Sequence, residues 1–120
     1  MPQFMLILHE KPGQFAKLSP EEIQKIIQKY GEWNQKLATA GTLVSGHKLT
    51  DEGGKQMNSA GGKVTVVDGP YSEAKEVVGG YFIIRANDYN EAVAIAQTCP
   101  HVPFGQIDVR QVDFMGQPEE

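Results

Sequence analysis

A long amphipathic stretch, residues 19 to 41, limits the folds open to this chain more than any other feature of the sequence. It opens on Ser19-Pro20-Glu21-Glu22, where the serine can cap a helix, the proline suits the first helical position and the second glutamate can bond back to the cap. Gly41 suits the left-handed residue that ends many helices. The pattern predicts one long helix with a single buried face, in which Trp33 packs inside. The apolar residues of that face are Ile23, Ile26, Ile27, Tyr30, Trp33 and Leu37.

Short runs of apolar and β-branched residues elsewhere in the chain predict five strands, at residues 4–8, 42–45 with the polar residues just after it, 63–67, 80–85 and 107–114. A second helix is predicted after the cap Asn87-Asp88, and Pro100 stops it. Residues 51–62 contain four glycines and no apolar periodicity, so we interpret them as a loose loop. The alternation of the last run slips between Val109 and Val112, which predicts a bulge or bend there.

The order of these elements predicts an α+β fold of the split βαβ type, with two helices on one face of an antiparallel sheet. At 120 residues the chain fits a single domain, residues 1–120. The other face of the sheet would carry too many apolar groups to leave in water, so we expect a homodimer with a barrel-like shared core. A monomer with a modest exposed patch is the alternative. The apolar candidates for that face, depending on strand phase, are Phe4, Leu6, Leu8, Val64, Val66, Phe82 and Ile84.

Charge and composition exclude several classes of protein. The net charge is −4 and the lysines are scattered, which argues against nucleic acid and anionic membranes as partners. Cys99 is the only cysteine, so no internal disulfide can form, and we expect it to be a small buried hydrophobic group. No run of eighteen apolar residues and no secretory signal pattern is present, so we expect a cytoplasmic protein. No phosphate-binding or dinucleotide motif is present, and we predict no cofactor.

The stretch from Val67 to Phe82 carries more chemistry than a simple connection between two strands requires. Asp68 precedes Gly69-Pro70, which stiffens the chain, and Gly79-Gly80 allows the backbone to pass close to a neighbour. Two roles fit Asp68. Its carboxylate can bond nearby backbone amides in a turn, or it can act as a general acid or base.

Four further residues are candidates for ligand binding: Tyr71, Glu73, Lys75 and Tyr81. Tyr71 can stack on a ligand or cover the mouth of a barrel, and its phenol adds a polar end. Glu73 and Lys75, with Glu76, fit a solvated and mutually paired face as well as a binding set.

The three histidines lie far apart in sequence, and only the fold can bring them together. His9 ends the first predicted strand, His47 follows the second, and His101 comes after Cys99-Pro100. None has the spacing of a metal-binding motif, so we predict no metal site. We expect His9 or His47 to be the catalytic partner of Asp68.

The motif residues resemble those of a known family. Asp68-Gly69-Pro70-Tyr71, followed by Gly79-Gly80-Tyr81, is similar to the DGPF motif of the YCII-related family, with tyrosine in place of the usual phenylalanine. Gln111 replaces the proline that usually follows arginine in the last strand. The resemblance extends over nearly the whole chain, through Phe4-Met5-Leu6-Ile7, Ala40-Gly41, Cys99-Pro100 and Ile107-Asp108-Val109-Arg110.

This resemblance implies a ferredoxin-like dimeric α+β barrel. It also implies links to small-molecule catabolic enzymes and, for relatives of the DGPF type, to extracytoplasmic-function sigma factors. Some members use a histidine and aspartate pair, but this chain has no histidine on its first helix, so that pair is not carried over.

Two classes of function fit the sequence. The first is an enzyme or binder of a small organic molecule, using acid/base chemistry in a cleft near Asp68. The second is a non-enzymatic accessory or regulatory protein of a sigma-factor pathway, whose Asp68-Gly69-Pro70-Tyr71 loop meets another protein. An enclosed cleft holding Asp68 would favour the first, and a flat exposed loop would favour the second.

Overall fold

The computed structural model of the protein describes residues 1–69 and 76–118. A short 3-10 helix at Gln14–Lys17, which the sequence did not predict, follows the first strand. None of the helices in the described part of the chain is long and apolar enough to cross a membrane. In chain order the elements are β1 (Gln3–Glu10), α1 (Pro20–Thr39), β2 (Leu43–Lys48), β3 (Lys55–Ala60), β4 (Lys63–Asp68), β5 (Val77–Arg85), α2 (Tyr89–Ala96) and β6 (Ile107–Gln111).

Both helices begin where their capping residues predict. In α1 the Ser19 hydroxyl accepts the Glu22 amide at 3.1 Å, and the Glu22 carboxylate accepts the Ser19 amide at 3.2 Å. In α2 the Asp88 carboxylate accepts the Glu91 amide at 2.9 Å. Each bond satisfies a backbone donor that the first helical turn cannot pair internally.

Four strands form an antiparallel sheet in the order β2-β5-β1-β6. The two long central strands, β1 and β5, pair from Gln3 opposite Arg85 to Glu10 opposite Val77, with an irregularity between Leu8 and His9. The chain is therefore α+β and ferredoxin-like, with two helices packed on one face of the sheet, as the element order predicts.

The core lies between this sheet and the helices. Phe4, Leu6 and Ile84 are 0–1% exposed, and Leu8 and Phe82 are also buried. Side chains alternate between the two faces of a strand, so these residues define the helix-covered face. They do not lie on the uncovered face for which the sequence made them candidates.

Trp33 anchors α1 on this core, which confirms the prediction that it packs inside. Its ring meets Phe82 edge-on, with centroids 5.0 Å apart, and its indole N–H donates to the Thr98 hydroxyl at 2.8 Å. The face predicted for α1 is not buried throughout, since Ile27 is 57% exposed. Cys99 is buried and unpaired, as expected.

Strands β3 and β4 pair with each other, not with the main sheet, and form a separate hairpin that we call the arm (Lys55–Asp68). The prediction of a loose loop over residues 51–62 is therefore wrong, because β3 lies within it. Gly61 and Gly62 have φ of 58° and 80°, which suits a two-residue turn whose twist matches paired strands. Val64 and Val66, the remaining candidates for the uncovered sheet face, lie on the arm instead.

Other strand boundaries also differ from the prediction. β1 continues to Glu10 and β2 to Lys48, so His47 lies within the second strand and not after it. β5 begins at Val77, three residues earlier than expected, and β6 ends at Gln111 instead of Phe114. Val112 lies beyond β6 and still donates its amide to the Gln3 carbonyl at 2.8 Å. The slip in apolar alternation thus marks the end of the strand, not a bulge within a longer one.

Candidate functional site

One face of the main sheet is not covered by either helix, and we call it the open face. Its centre is apolar, with Met5, Ile7 and Ile83 partly buried. Ile7 lies opposite Asp108 on β6 and opposite Tyr81 on β5, and Tyr81 lies opposite His47 on β2. Because directly opposed residues of neighbouring strands share a face, Asp108, Ile7, Tyr81 and His47 form one row across the open face.

His9 and Asp108 form an imidazole–carboxylate pair at one side of this row. The His9 Nε2 lies 2.8 Å from the Asp108 Oδ2, and the two side chains are 20% and 40% exposed. The Gln106 amide donates to the other carboxylate oxygen at 2.7 Å. Hydrogen bonds from Gln106 and His9 lower the pKa of the Asp108 carboxyl.

This contact sets the protonation of the neutral His9 ring. A carboxylate only accepts hydrogen bonds, so Nε2 carries the proton and Nδ1 keeps its lone pair. No other described residue bonds to the His9 side chain. The pair therefore has the form of a general base whose orientation a carboxylate maintains.

The backbone of His9 is also held on both sides. Its amide donates to the Gln106 carbonyl at 2.9 Å, and its carbonyl accepts from the His101 Nε2 at 2.6 Å. A side chain at Gly105 would overlap the His9 carbonyl, so the absence of one permits this close approach. The backbone that presents the imidazole is thus positioned independently of the Asp108 contact.

His101 is 2% exposed, and both of its ring nitrogens are used. Because a backbone carbonyl can only accept, Nε2 donates to His9, and Nδ1 then accepts the Tyr30 hydroxyl at 3.1 Å. Burial raises the pKa of the Tyr30 hydroxyl above its usual range. Burial also raises the pKa of the Cys99 thiol, which argues against a nucleophilic thiolate there. His101 and Tyr30 thus hold the backbone of His9 from the helix side of the sheet.

His47 and Tyr81 form a second polar pair at the other side of the row. The Tyr81 hydroxyl lies 2.8 Å from the His47 Nδ1, and the rings are tilted with centroids 5.6 Å apart. Both were predicted site residues, and cross-strand pairing brings them together.

Glu10 lies at the end of β1, next to the site. Burial raises the pKa of the Glu10 carboxyl, and the positive charge of Lys48 opposes this effect. Any side chain at Gly79 would overlap the Glu10 carboxylate, and a Cβ at Gly80 would lie 2.9 Å from the His47 carbonyl. The glycine pair therefore allows close approach of neighbouring groups, as the sequence predicts.

Asp68 occupies a different part of the molecule. It ends β4 at the base of the arm, its side chain is 84% exposed, and its carboxylate pairs with the Lys55 ammonium across the hairpin. Within the described residues, the side-chain hydrogen bonds of His9 and His47 go to Asp108 and Tyr81, not to Asp68. The predicted ligand-binding residues Tyr71, Glu73 and Lys75 lie outside the described residues.

Two of the cavities formed by the described residues lie on the helix side of the sheet. The larger, of about 470 Å³, is bounded by Ile26 and Lys29 of α1 and by the segment from Cys99 to Phe104. The smaller, of about 230 Å³, lies between α2 and β6. None of the described candidate residues Asp68, His9, His47 and Tyr81 lines either cavity. Neither is therefore the cleft near Asp68 that the sequence analysis expected.

Sequence reasoning did not single out Asp108 or Gln106 as site residues. The sequence carried one signal for Asp108, namely a charged residue between Ile107 and Val109, whose side chains pack on the core. Such alternation places Asp108 on the open face, but its distance from His9 depends on the pairing of β1 with β6. Within the described residues, no cluster of three or more His, Cys, Asp or Glu side chains could hold a metal ion.

Fold and site together define a small α+β protein of ferredoxin-like fold, with an imidazole–carboxylate pair on the sheet face opposite its helices. Residues 2–115 match the model of the YCII-related domain, and the chain belongs to this family. A comparison with curated proteins gave no match.

Proposed function

We propose that this protein binds a small organic molecule on the open face of the sheet and that His9 exchanges a proton with it. The observation that carries this proposal is the 2.8 Å contact between the His9 Nε2 and the Asp108 carboxylate. It leaves the lone pair of the His9 Nδ1 available to accept a proton from a ligand.

The surroundings of His9 support a ligand that is partly apolar. Ile7 separates the His9–Asp108 pair from the Tyr81–His47 pair, with Met5 and Ile83 beside it in the next row. Asp108 and Tyr81 are two strands apart, and strands lie about 4.8 Å from each other, so the two polar pairs are about 10 Å apart. A molecule with an apolar body and polar groups at both ends matches this spacing.

A thermal-shift screen with small carboxylic acids, phenols and lactones tests the proposal. We expect a compound that raises the melting temperature of the wild type and has little effect on His9→Gln and Asp108→Asn. Asp51→Asn is the matched control, because Asp51 is an exposed aspartate that pairs only with Lys48 among the described residues. If His9→Gln and Asp108→Asn respond to every stabilising compound as the wild type does, the open face is not the binding site.

A second function, that of a non-enzymatic accessory protein in a sigma-factor pathway, is favoured by the position of Asp68. The motif aspartate is exposed on a projecting arm, which suits contact with another macromolecule better than catalysis within its own chain. The same screen separates the two functions. An accessory protein gives no small-molecule stabilisation that depends on His9, and substitutions on the arm then weaken partner binding. We propose a cytoplasmic setting for either function, since the one cysteine is buried and unpaired.

A further inference from the structure

The larger cavity on the helix side of the sheet has the size and the lining of a small-molecule site, and we call it the helix-side cavity. Its volume of about 470 Å³ lies within the range of roughly 300–1,000 Å³ that such sites occupy. Most of its wall is apolar, and none of the described residues that line it is acidic. The apolar lining residues are Ile26, Pro100, Val102, Pro103 and Phe104.

Hydrogen bonds hold the two walls of the helix-side cavity at a fixed separation. One wall belongs to α1 and the other to the 99–104 segment. The Trp33 indole N–H donates to the Thr98 hydroxyl at 2.8 Å, immediately before that segment. The Tyr30 hydroxyl donates to the His101 Nδ1 at 3.1 Å, within the segment. Because these bonds tie α1 to the segment at two points, the space between them is preformed.

The far end of the 99–104 segment is fixed as well. The Phe104 ring packs against Phe15 with centroids 5.4 Å apart. The Phe104 carbonyl accepts from the Gln14 side-chain amide at 2.9 Å, and the Phe104 amide donates to the His101 carbonyl at 2.8 Å. A cavity whose walls are already ordered loses little conformational freedom when a ligand binds.

Two polar side chains at the cavity wall have no partner within the described part of the chain. The Lys29 ammonium on α1 and the Gln97 side-chain amide, directly after α2, form no hydrogen bond or ion pair with another described residue. Burial raises the pKa of the Cys99 thiol, so this third lining group stays neutral and does not repel an anion. The lining therefore offers a positive charge and an amide donor beside an apolar wall.

We propose that the helix-side cavity binds a small carboxylate with an apolar body. The apolar body contacts Ile26, Val102 and Phe104, and the carboxylate accepts a hydrogen bond from the Lys29 ammonium. Lysine suits this role because its charge sits on a flexible stem, while the stem itself covers apolar surface. Burial of the apolar body supplies most of the affinity, since an ion pair with an exposed lysine contributes little. The site is separate from the open face, so it does not rest on the proposed proton exchange at His9.

An NMR titration of the isotope-labelled protein with octanoate tests the location of the site. Octanoate combines an unbranched apolar body with one carboxylate. We expect saturable shifts of the backbone amide signals of Cys99, Val102 and Phe104, and the same shifts in His9→Gln, whose altered side chain lies on the other face of the sheet. The absence of saturable shifts at these amides overturns the proposal. Shifts that disappear in His9→Gln would place octanoate on the open face and overturn it equally.

Two lysine variants and a neutral analogue test the role of the charge. We expect Lys29→Gln to weaken octanoate binding by about three- to fivefold. Binding of octanamide, which has the same apolar body and no charge, should be unchanged. Lys25→Gln is the matched control, because it removes the same charge from an exposed position of α1 that does not line the cavity. Equal affinities of the wild type and Lys29→Gln for octanoate, or equal losses in Lys29→Gln and Lys25→Gln, contradict the proposal.

Discussion

At the scale of single residues, His101 connects the core to the candidate site. It joins the Tyr30 hydroxyl on α1 to the backbone carbonyl of His9 through two ring nitrogens. Substituting a buried ring with both nitrogens bonded costs more stability than substituting an exposed one. Each former hydrogen-bond partner stays buried without a partner, and that burial is unfavourable. The position of His9 therefore depends on residues that never face the open side of the sheet.

We predict that His101→Gln lowers the free energy of unfolding by about 1–3 kcal/mol and that Tyr30→Phe lowers it by about 1 kcal/mol. The double variant should cost less than the sum, because both changes remove the same hydrogen bond. Urea denaturation of the three variants measures this directly. Strictly additive losses would show that the 3.1 Å contact between Tyr30 and His101 contributes nothing.

Glu10 gives a pH dependence of known sign. Its pKa is raised by burial, so the folded state binds a proton more readily than the unfolded state does. Protonation of Glu10 therefore adds to the free energy of unfolding at low pH. This stabilisation is lost as pH rises from the ordinary glutamate pKa through the raised pKa of the folded state. At neutral pH the charge of this partly buried carboxylate therefore lowers the stability of the fold.

We therefore predict that Glu10→Gln is more stable than the wild type at pH 7 and that the difference shrinks as pH falls through the raised folded pKa to the ordinary glutamate pKa. Urea denaturation at pH 7 and pH 4 checks this. Glu32→Gln, on the exposed side of α1, is the control and should show no such trend. A Glu10→Gln variant less stable than the wild type at pH 7 would mean that attraction to Lys48 outweighs the cost of burial.

At the scale of elements, two glycines differ in the space that their surroundings leave for a side chain. Gly31 lies within α1 with open space where a side chain would start, whereas a side chain at Gly46 on β2 would overlap the ring of Phe82. Phe82 has little freedom to move, because it is 8% exposed and packs against Trp33.

We predict that Gly31→Ala raises the free energy of unfolding by about 0.5–1 kcal/mol, since alanine restricts the unfolded chain and favours helix. Gly46→Ala should lower it by about 1–3 kcal/mol through overpacking. Chemical denaturation of the two variants, each serving as the control for the other, gives the comparison. If both variants changed the free energy of unfolding in the same direction and by the same amount, the close packing of Gly46 against Phe82 would be contradicted.

The elements that the sequence predicts well are those whose pattern reflects burial or capping. Ser19 and Asp88 identify the helix starts, and the helix-facing residues of β1 identify a strand. Capping and burial act on residues close in sequence, so each leaves a local pattern. Strand β3 was missed because every residue in it is exposed, so it carries no alternation. The sequence feature that pointed to β3 was Gly61-Gly62, a pair typical of a two-residue hairpin turn.

The candidate site was predicted only in part, for a related reason. His9, His47 and Tyr81 were chosen as residue types, but their common face depends on strand register, which no local pattern specifies. Asp68 was expected beside the histidines because the motif adjoins β5 in sequence. The arm separates them, since β4 pairs with β3 and not with the main sheet.

At the scale of the whole molecule, the shape is too extended for a compact single chain. The Cα radius of gyration is 16.4 Å, whereas a compact domain of 120 residues has about 14 Å. The arm forms a sheet of its own, apart from the main sheet. An extended chain with an apolar arm and an apolar open face has the features of a subunit, and the motif residue Asp68 lies on the part that would extend towards a partner.

This arrangement leads to the last prediction, that Asp68 acts in the site of the second copy in the homodimer that the sequence predicts. Asp68 is exposed and pairs with Lys55 at the surface, so Asp68→Asn should cost less than about 1 kcal/mol in stability. If it nevertheless abolishes the thermal shift caused by a stabilising compound from the screen, the aspartate serves binding and not folding.

Mixing Asp68→Asn chains with His9→Gln chains then decides which copy receives the aspartate. When the site combines His9 of one copy with Asp68 of the other, a mixed dimer contains one fully native site and one doubly altered site. The mixture should therefore recover up to half of the wild-type binding stoichiometry in titration calorimetry, whereas neither variant binds alone.

When both residues serve the same chain, every site in the mixture carries one substitution and no binding returns. Co-purification of an untagged variant with an affinity-tagged one is the control, because it shows directly that the copies have exchanged. If the copies have exchanged and binding does not return, Asp68 does not act in the site of the second copy, and its role is the surface pair with Lys55 or contact with another protein.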